Sequence, residues 1–410
     1  MNGKVIKEYL DTKYDEMIRL LERLVNIDSG SACKAGIDRV GAIMAEEYAK
    51  EGFQVEILEH EHCGNGVIVR RDGNICQNRD GNICQDRPGN ICQVRSGGPA
   101  DNTCGRLLMI CHLDTAFPEG TAAAHPFTVN GNIATGPGVV DMKACLVGCL
   151  YALKSLYALG AENVPEVVVL MSGDEEAGSH AIQERIVEEG RKADWCIVTE
   201  GARENGAIVI QRKGNSYFHV HAAGRAVHAG IEPEKGRNAI EELALKIVKL
   251  RELNDFKKGS TVTIGTIEGG ENRIVVAESA QMDIDLRYRT KEEGECLIQK
   301  VKDILEHVEI DGVRTEYTFT RNRPPLVQVE GSKRLQELVE EAGEELGIPY
   351  LTAVTGGVSD GNFVADIGTP TIDGLGPVGG MMCSPEEYLC LDTMTERIAR
   401  MAAVIGRLNG

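Results

Sequence analysis

The sequence predicts an α/β protein: a mostly parallel sheet flanked by helices, with a separate α+β unit of mostly antiparallel strands inserted into it. Three observations carry that expectation. Aliphatic runs at Leu107–Cys111, Val164–Met171 and Trp195–Thr199 read as buried strands, and helix-type segments precede and separate the last two. From about Ala207 the texture changes, and strand-like runs alternate with two helices in an order close to ββαββαβ. Beyond Arg323-Pro324-Pro325 the chain returns to helices and glycine-rich loops. These limits divide it into residues 1–206 with 321–410, and an insertion at 207–320.

The elements follow in order. Ile6, Leu10, Met17, Leu20, Leu21, Leu24 and Val25 sit at helical spacing within residues 5–27, and Asp28-Ser29-Gly30-Ser31 ends that helix. A second helix runs from about Asp38 to Lys50, closed by Gly52. Phe53–Leu58 and Gly66–Val69 read as strands. Residues 71–104 carry Gly-Asn-Ile-Cys-Gln at 73–77, 81–85 and 89–93. An octad is too short to build a core, so the segment reads as an expanded surface loop, which costs little stability. A cysteine clip for a metal through Cys76, Cys84, Cys92 and Cys104 is the sharper reading, but the paired spacing of zinc modules is missing.

Arg106 then opens a strand that delivers His112 and Asp114 at its end. Gly136-Pro137-Gly138 forces a turn, and Asp141 stands before the apolar run Ala144–Leu159. Alone, Asp141 reads as a helix N-cap. The next strands deliver Glu175 with Glu176, and then Glu200. Ligands of open α/β sheets gather at these carboxyl ends. In the insertion, Ala207–Lys213 and Tyr217–Ala222 read as strands joined by a turn at Gly214. A helix at 238–253, strands at 260–267 and 280–288, a helix at 292–307 and a strand at 315–320 follow. The last segment offers helices at 331–345 and 390–408, loops at 355–361 and 374–384, and a strand near Thr371.

Composition bounds the function. At 410 residues the chain has room for two cores, and 42% apolar content with a single Trp makes them mostly aliphatic. Forty-four basic against 63 acidic residues leave a net charge of -19, which repels nucleic acid and anionic membranes. No apolar run is long enough for a membrane span, and the N-terminus carries no apolar signal segment. Several of the 13 cysteines lie inside apolar segments, as Cys111, Cys145, Cys149 and Cys196 do, which fits reduced thiols in the cytoplasm.

Carboxylates and an imidazole, each presented after a buried strand, suit a divalent metal site. Asp141 is the candidate bridge between two ions, with His112 and Glu200 in one shell and Glu176 in the other. Asp114 could accept the second N–H of the His112 imidazole. Glu175 adjoins Glu176, and two adjacent carboxylates do not easily face one ion, so one of the two is left to act as general base on a water. The bland alternative for Asp174-Glu175-Glu176 is a solvated acidic turn.

HLDT at 112–115, GPGVVDMK at 136–143, SGDEEAGS at 172–179, GRAVHAG at 224–230 and SPEEY at 384–388 stand in one order along the chain. Together they resemble the dinuclear-zinc metallopeptidase family of glutamate carboxypeptidases, dipeptidases, aminoacylases and acetylornithine deacetylases. The resemblance covers nearly everything outside 71–104. It implies a catalytic α/β domain, an inserted dimerisation domain, two zinc or cobalt ions per subunit, Glu175 as base and a cis Asp141–Met142 peptide. It further implies that His228 reaches a partner subunit's site to hold the oxyanion. Asn272 and Arg287 match residues that hold a substrate carboxylate, and Gly357 lies in a glycine-rich loop whose N–H groups meet that carboxylate. Without the resemblance, His228 would read as a strand-end histidine, Asn272 as a loop residue and Arg287 as a strand residue paired on the sheet surface.

One position departs from the family pattern. Cys383 stands where the family places a histidine ligand before Ser-Pro-Glu-Glu-Tyr, and no histidine follows His307. Thiolate binds zinc well, at about 2.3 Å. Cys383 is therefore the fifth candidate ligand; otherwise the second metal site is weak or empty. The expected activity is hydrolysis of an amide next to a free carboxylate, closest to the glutamate carboxypeptidases, in a small peptide or N-acyl amino acid. Deacylase or dipeptidase chemistry on the same site is the alternative. A catalytically impaired relative that binds an amino-acid-like ligand or only dimerises is the alternative of another class.

Overall fold

The structure is a computed structural model that describes residues 1–73 and 105–409. The octad repeats, and with them Cys76, Cys84, Cys92 and Cys104, lie outside the described residues. The chain forms two compact units. One comprises Met1–Ile210, Gln328–Val354 and Ser359–Gly410; the other comprises Gln211–Val327 and Thr355–Val358.

The first unit is built on a six-stranded sheet. In spatial order its strands are Gln54–Leu58, Gly66–Arg71, Glu166–Ser172, Arg106–His112, Trp195–Val198 and Thr371–Ile372. Gly66–Arg71 runs antiparallel to both of its neighbours, and the other pairings are parallel. Alternation of side chains divides the central strand between two cores. Leu107, Met109 and Cys111 face the cluster formed with the helices Ala144–Ala158 and Met394–Ile405. Leu108 and Ile110 face Ile186 and Phe363 on the opposite side. A sheet covered on both faces explains why its strands read as unbroken aliphatic runs.

Three expectations need correction. The first helix is two, Gly3–Thr12 and Tyr14–Val25, separated at Lys13 (φ -102°, ψ 2°), although Tyr14 carries the apolar stripe from Leu10 on to Met17. Asp141 is not an N-cap: it sits in the turn Val139–Lys143 with φ -115°, and the helix starts at Ala144. Gly214 makes no hairpin turn. Ile208–Arg212 belongs to a different, two-stranded sheet, while Gly214 opens the long strand Gly214–Ala223. A Cβ at Gly214 would lie 2.6 Å from the Tyr288 ring, so close packing is what the glycine serves.

A small antiparallel sheet escaped sequence reading. It orders Gly379–Gly380, Tyr388–Cys390, Ile133–Thr135 and Thr128–Asn130 side by side. Its strands are two or three residues long, too short for a periodic signal. It fixes the segment before Asp141 against the hairpin that carries Cys383.

The second unit carries a four-stranded antiparallel sheet, in the order Thr261–Gly269, Ser279–Tyr288, Gly214–Ala223, Arg314–Arg323. Phe218, Val220, Met282, Ile284 and Leu286 turn inward onto Leu243, Leu250, Leu297 and Val301 of the helices Ala239–Arg251 and Lys291–Glu306. Alternate residues face away, the mark of a sheet covered on one side.

Candidate metal centre

Strand ends of the first unit converge on one point. His112 closes the strand Arg106–His112 and is buried. Its Nε2 lies 3.1 Å from Asp141 Oδ1 and 3.7 Å from Glu200 Oε1. On the other side of the same carboxylate, Cys383 Sγ lies 3.5 Å from Asp141 Oδ2 and 3.7 Å from Glu176 Oε1. Two groups of three donors thus share Asp141, and within each group the donor atoms lie within 4.8 Å of one another. One imidazole, three carboxylates and a thiol are donors of divalent-cation chemistry, and an Asp with one oxygen in each group is shaped to bridge. The residues therefore fit a dinuclear centre: His112, Asp141 and Glu200 would hold one ion, and Asp141, Glu176 and Cys383 the other.

Asp114 does more than steady the imidazole. His112 Nδ1 is 2.9 Å from the main-chain oxygen of Asp114 and 3.4 Å from its Oδ1. The carboxylate itself accepts the N–H of Glu175 at 3.1 Å, the N–H of Glu176 at 3.0 Å and the hydroxyl of Ser31 at 2.7 Å. One buried carboxylate thus fixes the backbone of the expected base and of its neighbour.

The segment around Asp141 is held as tightly. Its peptide to Met142 is cis. Glu387 Oε1 accepts the N–H groups of Val140 at 2.8 Å and Asp141 at 3.0 Å, and Glu387 also accepts the Cys383 N–H. Lys143 is buried and donates to the carbonyls of Ile27 at 2.9 Å and Pro137 at 3.2 Å. Cys383 adopts a left-handed φ of +60°, which aims its sulfur from the tip of the hairpin.

Electrostatics reflect the crowding of like charge. Burial pushes Glu176 up to about 7, opposed by His112 and reinforced by Asp141 and Glu175. Burial likewise pushes Glu387 up to about 7, against the backbone donors at Asp141 and Val140. Burial would lower His112, but its bonds to Asp114 and Asp141 hold it well above the ordinary imidazole range. Burial, with Asp141 and Glu176, pushes the Cys383 thiol far up. A cation among these groups reverses the sign of that field.

The remaining expected residues lie in the second unit. His228 is exposed, and its Nδ1 accepts the Gly230 N–H at 3.1 Å. Asn272 Oδ1 accepts the Ile274 N–H at 3.1 Å. Arg287 Nε donates to Asp285 at 2.8 Å, and its Nη1 donates to the Gly356 carbonyl at 3.3 Å. Gly357 donates its N–H to Thr355 Oγ1 at 3.4 Å. Ser31 and Glu387 were missed by sequence reading. SPEEY carried Glu387 in plain sight, but nothing in a sequence says which backbone amides a glutamate will meet.

A cavity of about 650 Å³ in the first unit is lined by Phe117, His125, Pro126, Pro137, Ser384 and Pro385, among others. It borders the two segments that present Asp141 and Cys383.

Comparison with known proteins identifies the family of the chain. The chain is 28% identical to carboxypeptidase G2 of Pseudomonas sp. (strain RS-16), over 95% of this chain and 88% of that one. Among solved structures it superposes on a tripeptidase from Staphylococcus aureus subsp. aureus mu50 with a TM-score of 0.77 at 18% identity, covering 97% of this chain and 98% of that chain. It also superposes on a dinuclear metal-binding peptidase of the M20 family from Bacillus subtilis, with a TM-score of 0.65 at 15% identity over 97% and 98% of the two chains. The sequence profile of peptidase family M20/M25/M40 matches residues 108–407. With well over half of its length matched and its strand tips gathered around Asp141, this chain belongs to peptidase family M20/M25/M40 and is a hydrolytic enzyme.

Proposed function

We propose that the protein is a zinc-dependent carboxypeptidase that cleaves an amide next to a free carboxylate, acting as a homodimer in the cytoplasm. The observation that carries this reading is the pair of donor groups sharing Asp141, with Glu175 fastened beside them through Asp114. When bound, two zinc ions supply Lewis acidity to a water and to the scissile carbonyl. Glu175 takes the proton from that water and later returns it to the leaving amine. Asp114 keeps Glu175 at a fixed distance from the reacting atoms by gripping its backbone. His228 reaches a partner subunit's site to supply an oxyanion donor there, and Asn272, Arg287 and the Gly357 N–H hold the substrate's carboxylate; an Arg fork suits such a group. The cavity beside Pro137 and Ser384 has the size of a small-ligand site and receives the acyl side of the substrate.

The name of the Pseudomonas relative supports a carboxypeptidase over the other reactions of the family. For the dimer, support comes from the edge strand Thr261–Gly269 and from exposed Leu245, Val248 and Ile267. For the compartment it comes from the buried free thiols of Cys111, Cys145, Cys149 and Cys196. No helix among the described residues is long and apolar enough to cross a membrane.

The test is a hydrolysis screen of the metal-free protein reloaded with zinc or cobalt. C-terminally glutamylated amides should be cut fastest, ahead of N-acyl derivatives of neutral amino acids and of simple dipeptides. Faster turnover of dipeptides with a free amine, or equal rates with the C-terminal carboxylate amidated, overturns the assignment.

A further inference from the structure

Sharing Asp141 makes the two donor groups partners, but it does not make them alike. The first offers imidazole nitrogen and two carboxylate oxygens, from His112, Asp141 and Glu200. The second offers two carboxylate oxygens and sulfur, from Asp141, Glu176 and Cys383. The sulfur is not there by the accident of a flexible tip. Its residue is held in the left-handed region at φ +60°, and its N–H meets the same Glu387 carboxylate that receives the Val140 and Asp141 N–H groups. Glu387 thereby ties the thiol-bearing hairpin to the bridging carboxylate. Glu387 is 2% exposed, and its Oε2 meets no donor among the described residues.

Thiolate selects zinc and other soft ions, whereas carboxylate-rich groups also accept hard ions such as manganese. Resting on the dinuclear reading above, we propose that the centre is chemically asymmetric. The Cys383 group is a thiophilic subsite that takes zinc or cadmium and discriminates against manganese. The His112 group accepts hard and borderline ions alike. On binding, the Cys383 S–H proton passes to buffer and the sulfur enters as thiolate, so metal uptake at this subsite releases a proton.

Two titrations of the metal-free full-length protein test this without reference to turnover. In the first, cadmium is added and the thiolate-to-cadmium charge-transfer absorption is followed in the ultraviolet. The band should grow to one equivalent in the wild type and be lost in both Cys383→Ser and Cys383→His. In the second, manganese retained after gel filtration is counted by atomic absorption. The wild type should keep about one ion per chain, and Cys383→His should move towards two. Circular dichroism confirms that each variant is folded, and either variant alone suffices for the comparison. Cadmium bound without a charge-transfer band, a band that survives in Cys383→Ser, or two manganese ions in the wild type overturns the asymmetry while leaving the dinuclear reading intact. Failure to bind any ion overturns both.

Discussion

Buried charge is handled in opposite ways in the two units. In the second, Glu242 and Lys246 are both fully buried on the helix Ala239–Arg251 and pair at 3.1 Å. Lys246 Nζ also donates to the carbonyls of Ile304 and Leu305 at 3.0 Å each, and to that of His307, which satisfies the end of the helix Lys291–Glu306. Glu242 accepts the N–H groups of Glu309 at 3.1 Å and Ile310 at 2.7 Å. The charges cancel and the polar atoms find partners. In the first unit, Asp114, Asp141, Glu176 and Glu200 gather around one imidazole, and Glu387 is buried behind the Asp141 backbone. Closed charge of the first kind specifies a fold. A surplus of carboxylate of the second kind specifies a ligand of the opposite sign.

The contrast breaks if the carboxylates prove passive, and the largest expected effect tests that. Glu175→Gln should lower kcat by about 10²–10⁴-fold, the usual contribution of a general base. Zinc content, read by atomic absorption, should be unchanged, because Glu175 belongs to neither donor group. A small loss of rate would return Asp174-Glu175-Glu176 to the status of an acidic turn. The converse test falls on the second unit. Lys246→Met leaves Glu242 buried and unpaired, and should cost about 3–5 kcal/mol in denaturant unfolding. Replacing the pair together, Glu242→Leu with Lys246→Met, should recover most of that loss. Equal destabilisation by the single and the double variant would mean that packing, not charge, holds the helix end.

These two clusters also mark how far sequence reading reaches. His112, Asp141, Glu176 and Glu200 were legible because each follows a strand or turn whose residues announce it, and ordered motifs linked them. Glu242 and Lys246 were not, because an i,i+4 Glu–Lys pair looks the same on an exposed helix face. The parallel sheet was legible from its aliphatic runs, whereas the sheet around Ile133–Thr135 and Tyr388–Cys390 was too short to leave a pattern. Gly214 misled because a glycine between two strands signals a turn, while here close approach of Tyr288 demands it. Asp28-Ser29-Gly30-Ser31 reads as a helix stop, and the helix Tyr14–Val25 does end just before it, but a second role is invisible in sequence: Gly30 bridges to Thr115, and a Cβ on it would come within 2.0 Å of the Phe117 carbonyl. That contact brings Ser31 to Asp114.

A smaller effect sharpens the comparison thermodynamically. Zinc at a hundred times its dissociation constant should stabilise the metal-free protein by about 2.7 kcal/mol for a single site, read as a shift in the unfolding midpoint. Glu176→Gln should reduce that shift. Without metal, the same variant should be at least as stable as the wild type, because it removes one of several crowded carboxylates. A metal-free Glu176→Gln protein markedly less stable than the wild type would place Glu176 with Glu242, as a structural charge.

The finest distinction concerns Ser31. Its hydroxyl donates to the Asp114 carboxylate beside the backbone N–H groups of Glu175 and Glu176, with the His112 ring on the same carboxylate. Ser31→Ala leaves both backbone bonds in place and removes one side-chain bond, worth about 1 kcal/mol. If Asp114 positions Glu175, that loss appears in the transition state more than in substrate binding. The expected result is a roughly five-fold fall in kcat with little change in KM. Ser31→Thr keeps the hydroxyl and should restore most of the rate. A purely structural Ser31 would predict the opposite pattern, a lowered unfolding midpoint with kcat intact and no rescue by Thr, and would mean that the two backbone amides and the His112 ring hold Asp114 without it.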